Sequence, residues 1–75
     1  MKEIKINGEI WQMAVPTVRV LKNADKKDGD MEKAIYMIAS LTNHTESEVE
    51  DLELKDFMAL QKALSDFLEI AGAIA

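Results

Sequence analysis

The chain contains no cysteine. Disulfide staples, thiolate nucleophiles, Cys-based zinc sites and iron–sulfur clusters are therefore excluded. It has one histidine, His44. A lone imidazole with no nucleophile, acid or further ligand at a motif spacing makes neither a catalytic set nor a metal site. There is no Gly-rich phosphate loop and no serine elbow. No apolar run approaches the roughly 18–20 residues of a membrane-crossing helix, and the opening MKEIKING lacks the apolar centre of a signal peptide. An excess of positive charge is also missing. The net charge is −5, the wrong sign for a nucleic-acid or anionic-membrane footprint. These absences point to a soluble cytoplasmic protein with no catalytic, cofactor-binding or metal-binding residues. Its 75 residues read as one domain, 1–75, of a size that buries only about 60% of the surface its unfolded chain exposes.

What the chain does have is a long apolar stripe between Leu54 and Ala75. Phe57, Leu60, Leu64, Phe67, Ala71 and Ile74 follow at alternating steps of three and four. That spacing places them on one side of an α-helix. Leu54 and Leu68 widen the stripe, while Lys55, Lys62, Asp66 and Glu69 fall opposite. Burying each large side chain is worth roughly 1.5–3 kcal/mol, so the rest of the chain is expected to fold around this helix. Gly72 is expected to fray or end it.

Residues 2–15 read as a β-hairpin. Asn7-Gly8 is a strong hairpin signal, because a two-residue type I′ turn needs positive φ at both positions. The turn sets Ile6 opposite Glu9 and Ile4 opposite Trp11. Ile4, Ile6, Trp11, Met13 and Val15 then share one side, which must pack on helices because a two-stranded ribbon is marginal alone. Trp11 reads as a core anchor. Pro16 stops the second strand and Thr17 caps a short helix over 18–23. Residues 24–30, ADKKDGD, read as a solvated loop. They lack EF-hand spacing, since Ala24 stands where the first ligand would be.

Asp30 reads as the cap of a helix over 31–43 whose inner face is Met31, Ala34, Ile35, Ile38, Leu41 and Thr42. Tyr36 and Ser40 point away, and Met37 sits at the flank. Thr45-Glu46-Ser47-Glu48 is a capping box, opening a short helix over 46–51 that buries Val49 and Leu52. The expected architecture is α+β, mainly α: a hairpin, then a small bundle of about four helices, the C-terminal one longest. An acyl carrier is one alternative for an acidic helical chain of this size. Its modified serine sits in Asp-Ser-Leu at a helix start, whereas here Ala39-Ser40-Leu41 falls inside a helix. A generic acidic adaptor domain is another. Adaptable methionines at stripe margins, Met37 and Met58, suit protein contact.

The pieces taken in order resemble a known family. They run from the hairpin to Pro16-Thr17, then Asp28-Gly29-Asp30, Leu41-Thr42, the capped acidic turn Thr45–Leu52, Asp56-Phe-Met-Ala-Leu60 and Asp66-Phe67-Leu68. From about Ile6 to Leu68 this order is similar to the small tail assembly chaperones of contractile-tailed bacteriophages and prophages, the Mu-like tail assembly proteins. The chain departs from them in carrying Ala14-Val15 where members often have an acid or arginine before Pro-Thr. The resemblance implies a non-enzymatic protein of the bacterial host cytoplasm, absent from the finished virion. Its implied partner is the tape measure protein, kept soluble until tail tube subunits assemble. It also implies that this is the short form of a product lengthened by frameshifting. The tail tube protein and further copies of the chain are additional candidate partners. Phe67, Leu68, Ile70, Ile74 and Met58 are the candidate partner-binding residues.

Overall fold

A computed structural model describes the backbone of residues 2–74 and the side chains of residues 2–67. Two strands, β1 (Lys2–Ile6) and β2 (Glu9–Met13), pair antiparallel. Four helices follow: α1 (Val18–Ala24), α2 (Asp30–Thr42), α3 (Glu46–Glu50) and α4 (Leu54–Ile74). The fold is α+β and mainly helical, with α4 the longest element.

The hairpin register is set by its turn. Asn7 and Gly8 both take positive φ, 50° and 84°, and the pairs Ile6↔Glu9 and Ile4↔Trp11 result. Ile6, Trp11 and Met13 are buried on one side and Ile4 packs against them. Val15 does not join them. It lies past the end of β2 and is exposed, because strand alternation stops once the ladder ends.

Helix α2 has more principal neighbours than any other element: it packs on β2, α1, α3 and α4, whereas α4 packs mainly on β1 and α2. The organising role read into the C-terminal helix is thus shared with α2. Ala34, Ile35, Met37, Ile38, Ala39, Leu41 and Thr42 are all buried. At 100° per residue they cover more than half of the helix circumference. Met37 is therefore core and not flank, and Tyr36 packs partly against the core instead of pointing away. Met31, expected on the inner face, is 56% exposed. It sits in the first turn, beyond the reach of the elements that cover the middle of the helix.

The ends of α2 also differ from expectation at one point. Gly29 with φ +87° occupies the N-cap position without a side-chain bond, and Asp30 is the first helical residue. There its carboxylate faces the positive end of the helix. At the other end Asn43 takes the left-handed conformation, and the Asn43 and His44 N–H groups both donate to the Ala39 carbonyl. The Leu41 carbonyl accepts from Ala14 N–H at 2.9 Å, which ties the exit of β2 to the helix. Thr42, the buried polar residue, donates its hydroxyl to the Ile38 carbonyl at 2.7 Å. Orphan carbonyls of the last turn are satisfied in this way.

Helix α4 buries Phe57, Leu60, Ala63 and Leu64, with Phe67 packed against the same cluster. Leu54, included in the stripe from spacing, is 68% exposed at the first helical residue. The backbone stays helical through Gly72 to Ile74. One glycine costs about 1 kcal/mol relative to alanine, too little to end a helix flanked by Ala71 and Ala73. Ala71, Ile74 and the other side chains past Phe67 lie outside the described residues. Lys2 Nζ donates to Asp66 Oδ2 at 2.7 Å, joining the first strand to the last helix.

Leu60→Ala is expected to lower unfolding free energy by about 2–5 kcal/mol through the lost transfer energy and the cavity left behind. Leu54→Ala, at an exposed position, is expected to change it by no more than about 0.5 kcal/mol. Urea denaturation followed by Trp11 fluorescence measures both, and equal effects would contradict this core.

Candidate functional site

The early turns of α2 and α4 meet the last residues of α3 and leave an apolar cleft of about 190 Å3. Ile35 from α2, Val49 from α3 and Phe57 from α4 form its buried floor. Met31 and Leu54, both exposed, stand at its rim beside Leu52 and Glu50. The local sequence explains the opening. The Thr45 capping box fixes the direction of α3, with the Thr45 hydroxyl accepting from Glu48 N–H at 3.1 Å and Glu48 Oε1 accepting from Thr45 N–H at 2.9 Å. The chain then turns through Asp51-Leu52-Glu53 into α4. Residues in the first turns of α2 and α4 are thereby left without a covering layer. The cleft is smaller than the roughly 300–1,000 Å3 of small-ligand pockets, and suits an inserted side chain better than a cofactor.

A second feature lies at the C-terminal end of α2. The His44 ring stacks on Trp11, centroids 3.7 Å apart and planes 11° from parallel. His44 Nδ1 donates to Glu48 Oε2 at 3.1 Å, since an ionised carboxylate can only accept. Ribbon, α2 end and α3 start are thus clasped by three side chains. Glu48 is held below the usual carboxylate range, first by the Thr45 N–H and then by His44. Asp66 is likewise held low, by the Lys2 ammonium. A groove beside the stack, lined by Ile10, Trp11, Ala14 and Ser40, is wide and open. Ser40 sits inside α2 after Ala39, not at a helix start, so the carrier reading gains nothing from the fold.

The candidate contact residues do not gather in one place. Met58 is exposed one turn after Leu54, on the same shoulder of α4. Phe67 lies nine residues further on, half a turn around the helix, and packs against the core. Leu68, Ile70 and Ile74 have side chains outside the described residues. Met31 and Leu54 are the apolar groups that pattern reading assigned to the interior. Their positions at the first turns, next to Asp30 and Glu53, were the available signal. Lys27 shows a similar shift of role. It reaches Glu46 at 3.6 Å and lies 5.4 Å from the Tyr36 ring centre, so part of the charged loop is anchored and not free in solvent.

Among the described residues no cluster of His, Cys, Asp or Glu is arranged to hold a metal, and no helix is long and apolar enough to cross a membrane. The fold and composition define a small acidic α+β domain, mainly helical. The chain matches the family model described as phage tail assembly chaperone proteins, E, or 41 or 14, over residues 11–69. It belongs to that phage tail assembly chaperone family. No curated protein and no solved structure gives a significant match.

The pH dependence of the clasp has a definite sign. A carboxyl whose folded pKa is depressed contributes stability above its unfolded pKa, and that contribution is lost as pH falls through the folded value. Glu48→Gln is therefore expected to lose less thermal stability than the parent between about pH 5 and pH 3. Circular-dichroism melts across that range provide the comparison; identical acid-side slopes would remove Glu48 from the account.

Proposed function

We propose that this chain binds the tape measure protein in the cytoplasm of the infected bacterium and holds it soluble until the tail tube assembles around it. Membership of the tail assembly chaperone family over residues 11–69 is the observation that carries this reading. The role is non-enzymatic, and the chain is not retained in the finished tail. Two physical features support it. Exposed Met31, Leu54 and Met58 offer apolar contact to a helical partner, and two of the three are flexible methionines that adapt to irregular surfaces. A net charge of −5 resists aggregation of the coated complex. The proposed contact residues are Met58 on the shoulder of α4 and the C-terminal run Phe67, Leu68, Ile70 and Ile74. The tail tube protein is a second proposed partner, met when the tape measure is handed over. The whole chain, 1–75, is proposed to act as one domain.

Co-expression tests the reading. The tape measure protein from the same phage or prophage is expected to move from the insoluble to the soluble fraction when this chain is present, and to co-purify with it. A tape measure protein equally insoluble with and without the chain would refute it.

A further inference from the structure

The negative charge of the chain is concentrated beside the cleft between α2, α3 and α4. Six of the eleven residues from Glu46 to Asp56 are acids. One is a base, Lys55, and it lies 3.6 Å from Glu53. Glu50 lines the cleft. Exposed Asp51 and Glu53 flank Leu52, and exposed Asp30 precedes Met31. The bases on either side of Met31 are directed elsewhere. Lys27 reaches Glu46, and Lys33, two residues after Met31, lies about 200° around α2 from it. An apolar hollow is thus set in a frame of net negative charge.

Three features define what fits there. The volume of about 190 Å3 admits one large aliphatic or aromatic side chain and falls short of a small-ligand pocket. The walls come from α2, α3, α4 and the turn before α4, and neither strand borders them. A bound segment therefore finds no sheet edge to pair with, and as a helix it satisfies its own backbone groups. Met58, one turn after Leu54 on the same shoulder of α4, is also exposed and extends the apolar strip to a second residue of such a helix. The acidic frame selects a segment whose apolar residues are flanked by bases, because complementary potentials favour encounter and like charges repel.

We infer that the cleft takes one large apolar side chain of a helical partner segment that carries lysine or arginine within a turn of it. This names the chemistry of the bound segment and rests on the proposed role in holding a helical partner. The C-terminus of the same chain is not the occupant. Helix α4 carries it about 30 Å away from Leu54 along a continuous backbone, and the run after Phe67 holds Glu69 and no base.

Alanine-based helical peptides of about 15 residues test this on the purified full-length chain. Each has two leucines four residues apart, flanked by lysines in one peptide and by glutamates in the other. Methyl signals of 13C-labelled methionines are followed on titration at low salt. The lysine peptide should shift Met31 and Met58 and leave buried Met13 unmoved. It should bind with a dissociation constant on the order of 1 mM, weakening as salt is raised. The glutamate peptide, and a lysine peptide with both leucines replaced by alanine, should each bind about tenfold more weakly or worse. E50K/D51K should reverse the charge preference. Both positions are exposed at the C-terminal end of α3, where lysine suits the helix dipole, so circular dichroism should report unchanged folding. Equal affinity for the two charged peptides, a lysine preference kept by E50K/D51K, or an unmoved Met31 at millimolar lysine peptide would each overturn the inference. So would a Met31 shift on dilution of the chain alone, which would put a second copy in the cleft. Co-expression separates this inference from the proposed function. A tape measure protein that stays insoluble with the parent chain refutes that function and leaves the peptides to decide the cleft. One held equally well by the parent and by E50K/D51K overturns the cleft assignment alone.

Discussion

The structure depends on covering α2 on more than half of its circumference. A helix buried so widely presents more apolar surface than any single neighbour can cover. The ribbon, α1, α3 and α4 each take a sector. The ribbon, α1 and α3 are not stable alone. A two-stranded ribbon is marginal in water, and helices of five to seven residues lie well below the length at which isolated helices persist. Each element is ordered because α2 offers it a surface, and α2 is helical throughout because they exclude water from it. The polar groups this arrangement buries are paired within it. Thr42 bonds back to Ile38, and the Leu41 carbonyl accepts from Ala14. No buried side-chain nitrogen or oxygen lacks a partner among the described residues.

Local chemistry was legible in the sequence wherever one or two residues determine it. Asn7-Gly8 dictates the hairpin register, and Thr17 and Thr45 cap their helices as their side chains permit. The middle of α4 follows its three-four spacing. What could not be read is where a helix extends past its cover. Met31 and Leu54 have the right periodicity for burial, but periodicity gives an angle and not a height along the axis. Both lie in first turns that project beyond the packed layer. The converse failure is Met37, buried because α2 is enclosed on several sides, where a one-face template expects a margin. The candidate contact set scattered for a related reason. Met58 is a methionine at the margin of the stripe and Phe67 belongs to the apolar C-terminal run, and half a helical turn separates them.

The clasp of Trp11, His44 and Glu48 shows how one residue can serve both stability and organisation. His44 is the only imidazole of the chain, and it belongs to no metal-holding cluster among the described residues. Its ring instead stacks on the indole from the ribbon, and its Nδ1–H reaches the carboxylate that closes the capping box. The N-terminal ribbon and the entry to α3 are therefore coupled through the one point where α2 ends. The same carboxylate caps α3, whose direction opens the cleft. The ribbon thus reaches the cleft through these contacts as well as through the core that both share.

Exposed apolar residues at helix starts bear on how such a domain meets its partners. Side chains such as Leu54 and Met31 contribute little to folding, because they are not covered in the folded state. The interior positions Ile38, Leu60 and Met13, by contrast, are held by packing. A domain of 75 residues has little stability to spare, and a binding surface cut into its core would spend it. Exposed apolar groups beyond the end of the cover leave that core intact. The acids around them act in the same direction, since exposed Glu50, Asp51 and Glu53 keep the apolar rim hydrated.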